Sequence, residues 1–166
     1  MLGNMVQNLY WQADTDPLTS LGNRRYFYRR LMNELREIKE TKHFSVLALV
    51  DVDNFKRIND TVGHTAGDQV LIRISNIFRE NVGLRDSIIR WGGDEFAFIF
   101  SGSSIGEARI IMERIRKQIN ADPLVHGITI SAGLAEIKEQ MNIDQVLSQA
   151  DYLLYKAKEI KNSVIA

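Results

Sequence analysis

Apolar residues fall along this chain in two alternating spacings. Phe27, Leu31, Leu35 and Ile38 recur at helical spacing, and Asn23 stands where an N-cap belongs. A continuous apolar run, Val46 to Val50, predicts a central strand buried on both faces. Lys56 to Asp60 reads as one helical turn. Residues 61–68 read as a loop with two glycines, and Val70, Leu71, Ile74, Ile77 and Phe78 then mark a helix. Ile88-Ile89 and Phe96 to Phe100 flank Gly92-Gly93-Asp94-Glu95, which predicts a β-hairpin with an acidic tip. Ser104 with Glu107 forms a capping box opening a helix that carries Ala108, Ile111, Met112, Ile115 and Ile119. Ile128, Ile130, Ala132 and Leu134 alternate as in a strand. Asn142 with Gln145 opens a last helix striped by Ile143, Val146, Leu147, Ala150, Leu154 and Ala157, and residues 163–166 add a short edge strand. Residues 1–14 read as a helical extension, with Met5, Leu9 and Tyr10 on one side. It is either the cut end of a helix from an upstream domain or a frayed terminus. Residues 15–166 form one domain.

Composition narrows the possibilities. The 166 residues suffice for one sizeable core. Lys+Arg and Asp+Glu both number 21, so there is no basic excess of the kind that holds nucleic acid polymers. Cysteine is absent, which excludes thiolate metal sites and fits a reducing compartment. No apolar run reaches the about 18 residues of a membrane span, and no signal peptide opens the chain. A cytoplasmic location is expected.

The polar residues that interrupt the apolar runs carry the chemistry. Asp51 and Asp53 end the central strand, and strand alternation points both the same way. Either a cation relieves their repulsion or they cap the next helix. The adjacent carboxylates Asp94 and Glu95 sit on a glycine tip, where they are either a solvated turn or ligands of a metal that carries phosphate. Asn59 and Asp68 suit a purine edge, because a carboxylate accepts from guanine's N1–H and N2–H₂ but finds no such donor pair on adenine. His64 alone is weak evidence. Lys156, Lys158 and Lys161 near the end of the last helix suit the helix dipole or bind phosphates. No P-loop, GxGxxG, HExxH or nucleophile elbow is present.

Together these segments resemble the GGDEF domain of diguanylate cyclases. The resemblance rests on DPLTSLGNRR at 16–25, LVDVDNFKRINDTVGHTAGD at 49–68, RWGGDEFAFIF at 90–100, ITISAGLA at 128–135 and ADYLLYKAKEIKN at 150–162. It implies an α/β (α+β), nucleotide-cyclase-like fold: a central, mostly antiparallel sheet surrounded by helices, with a β-hairpin carrying the Gly-Gly-Asp-Glu-Phe motif. It also implies condensation of two GTP into cyclic di-GMP with release of pyrophosphate. Asp51, Asp94 and the carbonyl of Val52 would then hold Mg²⁺ (or Mn²⁺). Asn59 and Asp68, with His64 close by, would bind guanine. Backbone donors at Asn54 and Phe55 would meet the β/γ-phosphates. Lys56 would stabilise transition-state charge, and Lys158 and Lys161 would bind phosphate. Asp94 or Glu95 would deprotonate the 3′-hydroxyl. Catalysis would need a homodimer, and an upstream sensor or receiver domain would control it.

Three departures stand out. The family's inhibitory RxxD pattern is reduced to Asp86, with Gly83 in place of arginine, so feedback by product should be weak. The usual AKxxGRN ending is one residue shorter and lacks its glycine, leaving Lys161 as a point charge where an arginine is usual. Ser20 replaces a usual glycine, with a small effect expected. A non-catalytic GTP-binding regulatory module is the alternative reading. A cyclic di-GMP receptor is a third, disfavoured by Gly83.

Overall fold

The computed structural model describes residues 13–166, so the extension expected over 1–14 lies almost wholly outside the described residues. The apolar periods become helices α1 (Arg24–Thr41), α2 (Phe55–Thr61), α3 (His64–Asn81), α4 (Ile105–Ala121) and α5 (Ile143–Ile160). The strands are β1 (Ser45–Asp53), β2 (Ser87–Gly92), β3 (Glu95–Ser101), β4 (Thr129–Glu136) and β5 (Ser163–Ile165). They form one five-stranded sheet in the order β2-β3-β1-β4-β5. Every pairing is antiparallel except β4 with β5, which makes the sheet mixed and mostly antiparallel.

β1 is central because it is apolar on both faces. Its even residues Val46, Ala48, Val50 and Val52 join a core with Val70, Ile74 and Phe78 of α3 and Met112 and Ile115 of α4. Its odd residue Leu47 packs the other way, with Phe27 and Leu31 of α1 and Val146 and Ala150 of α5. Pleating carries this alternation onward, so Asp51 and Asp53 emerge on the α1/α5 side. Phe78 meets Phe96 and Phe98 edge-on, with centroids 5.1 and 4.9 Å apart, which fixes α3 against β3.

Local signals set the boundaries. The Asn23 side chain accepts from the Tyr26 amide, and both expected capping boxes form. Two expectations are corrected. The single turn at 56–60 is a longer helix, α2, which covers Phe55–Thr61. The loop expected over 61–68 is shorter, because α3 already begins at His64. Gly63, at φ +104°, supplies the sharp reversal between the two helices. Asp68 therefore sits on a helix, not on a loop.

Candidate active site

The end of β1 and the turn of the β2–β3 hairpin meet. Asp51 stands opposite Glu95 in the ladder, and the Val52 N–H donates to the Asp94 carbonyl across 3.1 Å. Gly93 and Asp94 make the turn, with Gly93 at φ +49° and open space around it. Acids from two distant segments thus share one corner. Burial raises the pKa of Asp51; the Lys158 ammonium opposes this, while the charges of Asp94 and Glu95 add to it, and the net direction is upward. Lys158 reaches in from α5 and donates to Asp51 Oδ2 at 3.0 Å. That bond is the main cause holding the Lys158 ammonium above its ordinary range.

Asp53 shares the strand end but not the role. It accepts from the Thr129 and Ser131 hydroxyls at 2.7 and 2.8 Å and from the Asn162 N–H at 2.9 Å. The expected carboxylate pair is therefore split. Asp51 faces the hairpin acids, whereas Asp53 is satisfied by neutral donors and fastens the carboxy-terminal segment to β1. Lys161 donates to Asn54 Oδ1 at 2.8 Å, so the shortened ending still closes over the start of α2. Asn54 is left-handed, at φ +57°, and its side chain does not cap α2. Lys56 is exposed and Phe55 half-buried.

Asn59 and Asp68 lie where α2 meets the start of α3. Asn59 is half-buried; Asp68 and His64 are exposed. At the position expected for an inhibitory site, Asp86 accepts from the Gly83 N–H at 2.8 Å, and burial pushes its carboxyl up. A side chain at Gly83 would find space beside Asp86, so the missing guanidinium reflects the residue and not the backbone. Among the described residues, the three-ligand cluster that side chains alone could close on a metal is Glu34, Glu37 and His43, at the other end of β1. An ion at the Asp51–Asp94 corner would need ligands beyond those side chains.

Sequence reasoning missed the residue that secures the hairpin. Arg90 donates to the Gly93 carbonyl from Nε at 3.0 Å and Nη2 at 2.8 Å, and its Nη1 meets both oxygens of Asp16 at 3.2 Å. Asp16 also accepts from the Thr19 amide and hydroxyl. Burial raises the Asp16 pKa, but Thr19 and Arg90 together outweigh it and hold the group below its ordinary value. The tip is thus moored to the turn at 16–19. Trp91 secures its base, edge-on to Phe27 at 4.7 Å with the Arg24 guanidinium over its ring. The signal available was two charges 74 positions apart, which no local period reveals. Arg90→Ala should cost about 2 kcal/mol, because the two donors to Gly93 and the partner of part-buried Asp16 go together. A lowered Asp16 pKa gives stability that is present above its unfolded value and lost as pH falls through its folded value. The variant should therefore lose part of that acid dependence in denaturant titrations at several pH values.

Ser20, expected to matter little, adopts φ +58°. That left-handed backbone accounts for a preference for glycine there.

The sequence profile described as diguanylate cyclase, GGDEF domain, matches residues 13–163. The diguanylate cyclase DgcS of Shewanella oneidensis is 38% identical over 154 residues, covering 92% of this chain and 52% of that protein. DgcP of Pseudomonas aeruginosa is 38% identical over 152 residues, covering 89% of this chain and 23% of its own length. The chain thus spans about half or less of these relatives. The coiled coil and GGDEF domain of DgcB from Caulobacter crescentus, solved in complex with c-di-GMP, superposes with a TM-score of 0.93 at 31% identity, covering 99% of this chain and 91% of that one. Diguanylate cyclase SiaD of P. aeruginosa, solved with its activator SiaC, gives 0.90 at 31% identity, covering 99% of this chain and 66% of that one.

Proposed function

Because the chain belongs to the GGDEF domain family of diguanylate cyclases, we propose that it condenses two GTP into cyclic di-GMP and pyrophosphate as a homodimer. The observation that carries this reading is the backbone bond from Val52 to Asp94, which holds Asp51 within the field of the hairpin acids. These are hard oxygen donors with a carboxylate left short of solvation, which suits Mg²⁺ or Mn²⁺. Asp51, Asp94 and the Val52 carbonyl would hold the ion, with the rest of its sphere left to phosphate and water. Bound there, such an ion supplies Lewis-acid polarisation of the phosphate oxygens.

The protein's own groups do the rest. Lys158, paired with Asp51, can turn its ammonium to the triphosphate, joined by Lys161 and by backbone donors at Asn54 and Phe55. Lys56 offsets charge on the transferring phosphoryl group. Asn59 and Asp68 hold guanine, with His64 at the rim. Asp94 or Glu95 accepts the 3′-hydroxyl proton. The freed oxygen attacks the α-phosphorus of the nucleotide held by the facing copy, and pyrophosphate leaves. Repeated in the opposite sense, the step closes the two-fold symmetric product. A sensor or receiver domain upstream would set how often two copies face each other. With no guanidinium beside Asp86, product should restrain the reaction weakly.

Incubating a dimerised form with GTP and Mg²⁺ should yield cyclic di-GMP and pyrophosphate; tight GTP binding without either product would favour the non-catalytic regulatory module. Asp68→Ala should weaken GTP far more than ATP, and equal losses would remove that carboxylate's role. Ion binding should also depend on pH in a set direction. Asp51 keeps its proton to a higher pH than an ordinary aspartate, whose value is 3.8, so Mn²⁺ affinity should climb across an interval above that value. The sign for folding is opposite: a raised carboxyl contributes stability at low pH that is lost as pH rises through its folded value. Calorimetric Mn²⁺ titrations at several pH values check the first statement, and denaturant midpoints check the second.

A further inference from the structure

Gly67 is the fourth residue of α3, and nothing in its backbone requires glycine. Its φ lies outside the left-handed region that makes Gly63 necessary, and glycine inside a helix costs about 1 kcal/mol relative to alanine. Space explains it instead. A Cβ built at Gly67 would overlap Oδ1 of Asn59, well inside the 3.0 Å that real Cβ atoms keep. It would also lie 3.1 Å from Cγ of Asn59 and 3.1 Å from Cζ of Phe55. The amide of Asn59 therefore rests where the side chain of residue 67 would be. It lies against the first turn of α3, next to the residue that precedes Asp68.

We infer that Gly67 is a positioning residue for base recognition: its missing side chain is the seat that holds the Asn59 amide beside Asp68. The inference rests on the assignment of Asn59 and Asp68 to guanine. An amide reads a purine edge only when its donor and acceptor are fixed in direction, and a freely rotating one loses that discrimination to entropy. Oδ1 is the far end of a flexible side chain, so alanine at 67 can be accommodated by swinging the amide away. The fold then survives while the reading of the base does not. Phe55, whose ring edge borders the same seat, ties it to the start of α2.

The test is a double-mutant cycle read by calorimetric binding of a non-hydrolysable GTP analogue and of its adenine counterpart, both with Mg²⁺. G67A should weaken the guanine analogue about tenfold, as loss of one or two directed hydrogen bonds would. The adenine analogue should change little, and the thermal midpoint should stay level or rise. N59A should weaken the guanine analogue to a similar degree, and N59A/G67A should be no worse than N59A alone, because the effect of G67A runs through that amide. Additive losses, or an unchanged guanine preference in G67A while N59A is impaired, would overturn this inference alone. An N59A variant that binds guanine normally would overturn the base assignment and this inference together. If G67A folds poorly, the double variant decides. Recovery of the wild-type midpoint supports a collision with Asn59, and no recovery points to packing against the rest of α2 and overturns the inference.

Discussion

Asp51→Asn should lower cyclic di-GMP formation about a thousandfold while leaving the protein as stable as before, or more so. The two outcomes share one cause. Asp51 is buried at the end of β1, and the charges of Asp94 and Glu95 bear on it from the adjoining hairpin. Its anion is therefore costly to the fold, and Lys158 offsets that cost only in part. A neutral amide of the same shape relieves the repulsion. The same anion is what would draw a divalent ion and the triphosphate into the corner. About 4 kcal/mol of lost charge stabilisation in the transition state corresponds to the expected thousandfold. Product assays and denaturant titrations on one preparation would check both halves. A variant that is inactive because it is unfolded would contradict the argument, as would one that keeps its activity.

Gly133→Ala should destabilise the domain by about 3 kcal/mol and reduce GTP binding as well. Gly133 lies in β4 under α5, and a Cβ there would sit 2.6 Å from the Ala150 carbonyl oxygen and 2.6 Å from the carbonyl carbon of Leu153. These are backbone atoms in the middle of a regular helix, so no side chain can turn aside. The helix itself would have to lift from the sheet. Lys158 is one turn beyond Leu154 on that helix, and its bond to Asp51 needs the present spacing. Chemical denaturation would read the first effect, and nucleotide titration of the remaining folded fraction the second. Gly67 gives the instructive contrast, since the atom in its way is the mobile end of a side chain.

Much of this was legible from residues alone, for definable reasons. β1 could be found because Val46 to Val50 is apolar at every position, which only a strand covered on both faces tolerates. The hairpin could be found because glycines separate two apolar runs. The caps at Asn23, Ser104 and Asn142 follow from chemistry within three residues. Asn59, by contrast, pointed to a base, yet not to the glycine that seats it, because that contact is set by how α2 folds back on α3. The two aspartates of β1 looked alike, since strand pleating gives direction but not neighbours. Thr129, Ser131 and Asn162 decide their difference, and these arrive only when β4 and the carboxy-terminal segment dock. Arg90 was invisible for the same reason. The helical start at His64 was hidden by two glycines that read as loop, although the first makes the turn and the second opens room inside the helix.

The sheet has two apolar layers, and the proposed ligands of one nucleotide come from both. Guanine would be gripped by α2 and α3 on one side, and its phosphates by α5 on the other. An occupant would therefore act as a rivet through two plates, resisting any breathing in which one layer peels from the strands while its fellow stays put.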